Sequence, residues 1–220
     1  MVRGGLGDSV TSRKAALRSE MKKKLRELTS DQAKLESQSI AKTLLDWPAF
    51  KSAGSVGLYV SCPKLKEVQT ELLLEACVRQ RKRCYVPKVE GDGNMRMLEI
   101  HDPATDLAPA PPYGIPEPVD LDHRGKPRAE AIDEGLDLLL VPGVAFDAEG
   151  RRMGRGAGYY DKYIARFLST EARGEAGGRN PLLAALCFDC QVVHEVPCED
   201  HDVRMDAVVT PKIILGKRGG

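Results

Sequence analysis

Three glycines spaced two residues apart stand in the segment VPGVAFDAEGRRMGRGAGYYD, between an apolar run and a helical pattern. They are Gly154, Gly156 and Gly158, and the arginines Arg151, Arg152 and Arg155 lie among them. Glycine lets the backbone approach a ligand closely, and a helix that starts behind it points unpaired N–H groups outward. Guanidinium groups bind phosphate oxygens through charge-assisted hydrogen bonds. The segment therefore predicts an anion site.

A simpler interpretation of this segment is a solvated turn whose arginines cover the surface. The spacing matches neither the P-loop, since no GK[ST] closes it, nor the dinucleotide fingerprint. However, Tyr159, Tyr160 and Tyr163 cluster directly after the glycines in a chain that is only 5% aromatic. Asp161 in the same stretch has two possible roles, which are a ligand for a phosphate-bound Mg²⁺ and a stabiliser of the helix N-terminus. The tyrosines favour a site.

A second metal interpretation uses the residues Cys187, Cys190, Cys198 and His201, which are spaced C-x2-C-x7-C-x2-H. Such a set loosely resembles a zinc site. The middle spacing is short for common zinc modules, and Cys187 lies in an apolar run. We therefore favour buried, reduced cysteines.

The elements that must position these residues alternate between helix and strand patterns. Helices are predicted from an N-cap at Ser12 to about Leu28, from Asp31 to near Trp47, from Thr70 to Gln80, and over residues 158–168. Strands are predicted over Ser55–Cys62, Arg83–Val89, Asn94–Ile100, Leu136–Asp147, 182–188, 206–210 and 212–215. This alternation predicts an α/β sheet packed on both faces.

The remaining stretches are predicted to be loops or ends. Six prolines lie between Asp102 and Pro118, which predicts an ordered loop across the surface or a site. Residues 171–180 are predicted to be a flexible connection. We expect one domain over residues 12–215, a disordered leader over residues 1–11 and a disordered tail over residues 216–220.

Composition excludes several classes of protein. The 220 residues include 33 Lys and Arg against 32 Asp and Glu, and a net charge of +1 argues against a nucleic-acid tail or a polybasic membrane anchor. No apolar run approaches the roughly 20 residues that cross a bilayer. Six cysteines without a signal-peptide pattern indicate a cytoplasmic protein, although an organellar leader stays open. We expect a monomer without nucleic-acid or membrane partners.

Three motifs resemble the 5-formyltetrahydrofolate cyclo-ligase family. They are the opening RKAALR, the loop YGIPEP and the string GRGAGYYD after VPGVAFD, which occur in the family's order between about Lys14 and Val209. The resemblance implies a single-domain, Rossmann-like fold with a mostly parallel sheet. It also implies an enzyme that uses ATP, with Mg²⁺ as cofactor, to close 5-formyltetrahydrofolate into 5,10-methenyltetrahydrofolate. Phosphorylation would turn the formyl oxygen into a good leaving group, released as phosphate beside ADP.

The resemblance also implies roles for particular residues. The implied nucleotide contacts are Lys14, Arg18, Arg152, Gly154, Arg155, Gly156, Gly158, Tyr159 and Tyr160. The implied folate contacts are Val60, Glu67, Tyr113, Arg155, Gly156 and Tyr160, the metal ligands are Asp161 and Asp202, and the catalytic residues are Arg155 and Tyr160. Tyr113 is expected to stack on the pterin, and Glu67 to hydrogen-bond the pterin ring. Ala157 stands where many relatives have Lys, so one phosphate contact is absent or is supplied by an arginine.

Two other functions stay open from the sequence. One is a folate-binding or RNA-associated relative without turnover, and the other is a different ATP-dependent enzyme such as a small-molecule kinase. The intact glycine segment and Asp161 favour the active cyclo-ligase over the first. Tyr113 discriminates the second, because Tyr113→Ala should weaken folate binding yet spare ATP binding in a cyclo-ligase, whereas an unrelated kinase would show no folate dependence.

Overall fold

A computed structural model describes residues 9–91, 93–111, 114–169 and 180–216. Its main sheet has seven strands in the order β11-β10-β9-β6-β1-β2-β3. These strands are β1 (Ser55–Gly57), β2 (Arg83–Val89), β3 (Met95–Ile100), β6 (Leu138–Val141), β9 (Leu182–Leu186), β10 (Ala207–Val209) and β11 (Ile214–Leu215). The five inner strands are parallel, and the edge strands β3 and β11 are antiparallel. The predicted Rossmann-like α/β fold with a mostly parallel sheet is confirmed.

The chain order of the strands reverses at the middle of this sheet. From β1 the chain proceeds to β2 on one side, whereas β6, β9 and β10 follow one another on the other side. The boundary between β1 and β6 is therefore a topological switch point, and ligands of open α/β sheets bind outside the carboxyl ends of the strands there.

Helices cover both faces of the sheet, as predicted. The α-helices of the described residues are α1 (Val10–Glu27), α2 (Ser30–Asp46), α3 (Pro48–Ser52), α4 (Glu71–Arg79), α5 (Pro103–Asp106), α6 (Ala131–Glu134) and α7 (Tyr159–Leu168). Successive strand residues point to opposite faces, so Leu138 packs beneath α2, α3 and α4 whereas Leu139 packs beneath α6 and α7. The sheet is consequently buried on both sides.

Helix α1 begins earlier than predicted. The Oγ of Ser9 accepts a hydrogen bond from the N–H of Ser12 at 3.2 Å, so Ser9 is the N-cap and the predicted cap at Ser12 is wrong. Val10 and Thr11, which we had expected in a disordered leader, form the first turn. Helix α2 begins with a capping box formed by Thr29 and Gln32.

The apolar run Leu136–Asp147 is not one strand, which corrects another prediction. Strand β6 ends at Val141, Pro142 and Gly143 follow, and the chain then enters an antiparallel hairpin of β7 (Ala145–Phe146) and β8 (Arg152–Met153). The predicted strand Ser55–Cys62 is likewise shorter, because its ladder stops after Gly57.

Helix α1 packs against the β7–β8 hairpin. Met21 of α1 is fully buried against Val144, Ala145 and Met153. This contact places the side of α1 that bears Lys14 and Arg18 next to the glycine segment after β8.

The proline-rich stretch does form a surface segment outside the main sheet, but it contains regular structure. After α5, the strands β4 (Leu107–Ala110) and β5 (Ile115–Pro118) pair as a separate antiparallel ribbon. Arg128 holds this segment, because its guanidinium donates to Asp106 Oδ1 at 2.7 Å and to the carbonyl oxygens of Val119 and Leu121.

Some predictions fall outside the described residues. These are residues 1–8 of the expected leader, residues 217–220 of the expected tail, residues 171–179 of the expected connection, and Tyr113. Within the described part of the chain, none of the helices has both the length and the apolar character of a transmembrane span.

Candidate active site

A cleft of about 810 Å³ opens at the switch point of the sheet. Tyr59 and Val60 reach it from the end of β1, and Pro142 and Gly143 from the end of β6. The glycine segment, the start of α7, one side of α1 and the β4–β5 ribbon form the other walls. Its volume and its position both match those of small-molecule sites in open α/β sheets.

The glycine segment joins β8 to α7 and faces this cleft. Gly156 and Gly158 have φ values of +117° and +71°, which a residue with a side chain adopts only with strain. Gly158 is the N-cap of α7, and no side chain caps the helix. The first N–H groups of α7 therefore lie at the cleft wall formed by Tyr159, Tyr160 and Asp161, an arrangement suited to an anion.

Two of the three arginines of the segment lie in the cleft. Arg152 donates to Asp161 Oδ1 at 2.7 Å and to the carbonyl oxygen of Pro142 at 3.3 Å, so it joins the start of α7 to the end of β6. Arg151 instead pairs with Asp147 and Glu195 at 3.4 Å and does not line the cleft, which corrects its expected place in the anion site.

Helix α1 supplies cations from the opposite wall. Arg18 Nε donates to the carbonyl oxygen of Gly154 at 3.1 Å. Lys14, only 8% exposed, places its Nζ 2.5 Å from Asp202 Oδ2 and 2.8 Å from Glu199 Oε2. Burial alone would lower the pKa of Lys14, but hydrogen bonds with the two carboxylates raise it, and the ammonium is fully charged at neutral pH.

The carboxylates around Lys14 form a group of possible metal ligands. Ligand atoms of Glu199, His201 and Asp202 lie within 4.8 Å of one another. Burial would raise the pKa of Asp202, but the Lys14 ammonium and the N–H of Glu199 lower it, so this carboxylate is ionised. Asp161, the other predicted metal ligand, lines the same cleft and is paired with Arg152.

The four residues of the zinc interpretation, which we did not favour, form no common metal-ligand group among the described residues. Cys187 is fully buried at the end of β9, and the metal-ligand group containing His201 includes no cysteine. All six cysteines are free thiols, as expected of a reduced protein.

Glu67 links the glycine segment to the segment after β1, two walls of the cleft. Its Oε1 accepts from Arg155 Nε at 3.4 Å, and its Oε2 accepts from the N–H of Cys62 at 3.1 Å. Arg155 also donates to the carbonyl oxygen of Leu65. Burial raises the pKa of Glu67 more than Arg155 and the N–H of Cys62 lower it.

Two tyrosines lie beside this carboxylate. The hydroxyl of Tyr59 donates to the carbonyl oxygen of Val68 at 3.1 Å, whereas the buried hydroxyl of Tyr160 has no hydrogen-bond partner among the described residues. Burial, and then the charge of Glu67, raise the pKa of both tyrosines, so both are neutral hydroxyls. A buried hydroxyl without a partner is costly, so Tyr160 offers a bond to a ligand.

The structure brings thirteen of the fourteen predicted site residues together, and Tyr113 lies outside the described residues. The thirteen that line the cleft are Lys14, Arg18, Val60, Glu67, Arg152, Gly154, Arg155, Gly156, Gly158, Tyr159, Tyr160, Asp161 and Asp202. Sequence reasoning missed Glu199 as a partner of Lys14 and Glu117 as a second acid in the cleft. The cluster of polar residues in CEDHD was the available signal for Glu199.

A doubly covered, mostly parallel sheet with an arginine-bearing glycine loop at its switch point defines a Rossmann-like α/β protein whose cleft is suited to an anion. Comparison with known proteins refines this class. A model of the 5-formyltetrahydrofolate cyclo-ligase family matches residues 10–211. The mitochondrial 5-formyltetrahydrofolate cyclo-ligase of Arabidopsis thaliana is 37% identical over 218 residues, with 94% of this chain and 77% of the plant protein covered.

Two further comparisons agree. A probable 5-formyltetrahydrofolate cyclo-ligase of Schizosaccharomyces pombe is 32% identical, with 92% of this chain and 97% of the yeast protein covered. The NMR structure of Aquifex aeolicus 5,10-methenyltetrahydrofolate synthetase superposes with a TM-score of 0.74 at 31% identity, with 94% of each chain covered. The chain belongs to the 5-formyltetrahydrofolate cyclo-ligase family, and the resemblance seen in its motifs is confirmed.

Proposed function

We propose that this protein closes 5-formyltetrahydrofolate into 5,10-methenyltetrahydrofolate, consumes ATP with Mg²⁺, and releases ADP and phosphate. The observation that carries the proposal is the contact between Arg155 of the glycine segment and Glu67 within one cleft. A phosphate-binding loop and a buried acid suited to a folate ring thereby meet at one point, where a phosphoryl group can pass from one substrate to the other.

The nucleotide binds at the glycine segment in this proposal. Open N–H groups at the start of α7 take phosphate oxygens, and Arg152, Arg155, Lys14 and Arg18 surround them from two walls. Gly154, Gly156 and Gly158 let the backbone approach, and Tyr159 and Tyr160 line the same wall. Arg18, which contacts Gly154, supplies the charge that Ala157 lacks.

The residues present fit a Mg²⁺ ion that arrives with the phosphates. Asp202 and Glu199 already hold one cation, the Lys14 ammonium, and carboxylate oxygen is the ligand type that Mg²⁺ prefers. We assign Asp161 and Asp202 as its protein ligands, with the nucleotide supplying further oxygens. When bound, Mg²⁺ neutralises charge on the phosphates.

The folate binds between Glu67 and the β4–β5 ribbon. The wall there is apolar and includes Val60, Val89, Met95 and Ile115, which suits a flat aromatic ring system. Tyr113 lies outside the described residues and stays the residue proposed to stack on the pterin. The substrate's formyl group then points towards Arg155 and Tyr160.

Arg155 and Tyr160 are the proposed catalytic residues. Transfer of the terminal phosphoryl group to the formyl oxygen spreads negative charge over the phosphoryl oxygens, and the Arg155 guanidinium stabilises that charge. The unpartnered Tyr160 hydroxyl donates a hydrogen bond to the transferred group. Both act chiefly by positioning and electrostatics, since the phosphorylated oxygen itself supplies the leaving group.

The test is a coupled assay of the pure protein with 5-formyltetrahydrofolate, ATP and Mg²⁺. We expect methenyl absorbance to rise with one ADP formed per product. ADP formation that does not depend on the folate would instead identify a different ATP-dependent enzyme. Folate binding without any rise in methenyl absorbance would identify a relative without turnover.

We also propose that the protein works in the cytoplasm as a monomer, without nucleic-acid or membrane partners. The support is its near-zero net charge and its six free thiols. Sedimentation at micromolar concentration tests the oligomeric state, and a mass near 24.1 kDa is expected.

A further inference from the structure

Ring closure releases a proton, which a group of the site must accept. After phosphorylation, the secondary aniline nitrogen of the folate attacks the formyl carbon and forms a C–N bond. The nitrogen then carries both its proton and a positive charge. Loss of that proton leaves an electron pair that expels phosphate as the C–O bond breaks. A nearby base accelerates this step, and general-base catalysis contributes typically ~10²- to 10⁴-fold.

Glu67 is placed to serve as such a base. It contacts Arg155, the residue expected at the transferred phosphoryl group, and it also contacts Cys62 in the segment after β1 that carries Val60. In the proposed complex the reacting carbon lies between the phosphorylated oxygen and the attacking aniline nitrogen. A group that contacts both walls can reach the nitrogen at which the bond forms.

The surroundings of Glu67 suit proton transfer. Its side chain is only 12% exposed, and the charged or titratable groups that face it are Arg155 on the glycine segment, Tyr59 after β1 and Tyr160 on α7. Both tyrosines stay neutral. Burial raises the pKa of Glu67, which makes its carboxylate a stronger base than an exposed one, and Arg155 offsets part of this rise.

The other carboxylates among the described cleft residues are already paired with other groups. Asp202 and Glu199 are bound by the Lys14 ammonium, and Asp161 is bound by Arg152. Glu117 lies on the β4–β5 ribbon, where its Oε2 accepts from the N–H of Val89 at 3.4 Å.

We propose that Glu67 is the catalytic base that takes the proton from the attacking aniline nitrogen. This inference rests on the proposed function and adds to the pterin hydrogen bond that the family resemblance implies. Glu67 passes the proton to solvent after phosphate leaves, and the enzyme returns to its starting state.

The test separates the two chemical steps by rapid quench. ADP formation reports phosphorylation, and methenyl absorbance reports ring closure. In Glu67→Gln we expect the single-turnover rate of ring closure to fall at least 100-fold, while the rate of ADP formation stays within about threefold. The dissociation constant for 5-formyltetrahydrofolate, measured with a non-hydrolysable ATP analogue, should rise far less than the ring-closure rate falls, because the glutamine amide can still hydrogen-bond the pterin ring. The glutamine side chain keeps an oxygen that can accept the N–H of Cys62. Circular dichroism checks that the variant protein is folded.

Two other variants and the pH profile complete the test. Glu67→Asp should restore part of the ring-closure rate, and Glu117→Gln should leave the ratio of the two rates unchanged. In the wild type, ring closure should slow as pH falls through the pKa of Glu67, and the Gln variant should lack that dependence.

A parallel fall in both rates, or a large loss of folate affinity alone, would show that Glu67 only binds or positions substrates and would overturn the inference. If the wild type forms neither ADP nor methenyl product, the proposed function fails first, and this inference fails with it.

Discussion

The Nζ atom of Lys14 lies 2.5 Å from Oδ2 of Asp202, although 188 positions separate the two residues in the sequence. One is expected to contact phosphate and the other Mg²⁺. In this structure each pairs with the other, so we expect binding of Mg²⁺ and ATP to compete with this pair.

Replacing Lys14 by Met should therefore have two opposite effects. Binding of ATP should weaken because a phosphate contact is lost, while Mn²⁺ alone should bind more tightly because Asp202 and Glu199 are released. Mn²⁺ titration followed by electron paramagnetic resonance measures the second effect. Lys24→Met is the matched control, since Lys24 lies on the same helix, is exposed and pairs with exposed Glu20. Equal Mn²⁺ affinity in the wild type and Lys14→Met would contradict this account.

Asp161 offers a second comparison, because an acid in the first turn also stabilises a helix without any ligand. Asp161→Asn should slow turnover by an amount that corresponds to losing roughly 2 to 4 kcal/mol of transition-state stabilisation. Asp31 occupies the first turn of α2 and does not line the cleft, so Asp31→Asn should cost little stability with no loss of turnover. Asp161→Asn should cost more stability, because it also weakens the pair with the buried Arg152 guanidinium. Steady-state kinetics and thermal melts measure both. Equal turnover in the two variants would leave Asp161 only its structural roles at the helix start and beside Arg152.

The glycine segment can be tested with two matched Gly→Ala substitutions, one inside the segment and one outside it. Gly158 and Gly125 have φ values of +71° and +72°, and a Cβ at either position meets nothing within 4 Å. Alanine at each should cost about 1 to 2 kcal/mol of stability because it strains the left-handed conformation. Only Gly158→Ala should also weaken nucleotide binding, as measured by calorimetry. A similar affinity loss in Gly125→Ala would mean that general destabilisation is the cause.

The Arg128–Asp106 pair predicts how stability depends on pH. Burial would raise the pKa of Asp106, but hydrogen bonds from Arg128 and from the N–H groups of His101 and Asp102 lower it to about 2. Because the folded-state pKa lies below the ordinary 3.8, the stabilisation is complete above that value and is lost as pH falls towards 2. It amounts to about 2 kcal/mol at ~1.4 kcal/mol per pKa unit.

Urea unfolding between pH 2 and pH 6 measures this dependence. Asp106→Asn should flatten the acid limb of the stability curve, and Arg128→Met should cost about 3 to 5 kcal/mol at neutral pH because it leaves a buried carboxylate unpaired. An unchanged acid limb in Asp106→Asn would assign the loss to other carboxylates.

The sheet and the long helices could be predicted because periodicity and β-branched or apolar runs are local signals. The helix end at Trp47 followed from Pro48, and α7 followed from the glycines before Tyr159. The start of α1 could not be placed, because Ser9 and Ser12 are equally good caps and the choice depends on contacts of the first turn.

Tertiary pairing explains the other misses. Leu136–Asp147 contains Pro142 and Gly143, which mark a break, but the partner strand Arg152–Met153 becomes apparent only when the hairpin forms. The family motifs gave the positions that line the cleft. They did not give the Lys14–Glu199 contact, because it joins two ends of the chain that only folding brings together.

The most direct test of the central claim is a crystal structure with Mg²⁺ and a non-hydrolysable ATP analogue. We expect the β- and γ-phosphates within hydrogen-bond distance of the N–H groups at the start of α7, with the γ-phosphate beside Arg155 and near Glu67. A nucleotide bound elsewhere, with the stretch from Gly154 to Gly158 facing bulk solvent, would contradict the account.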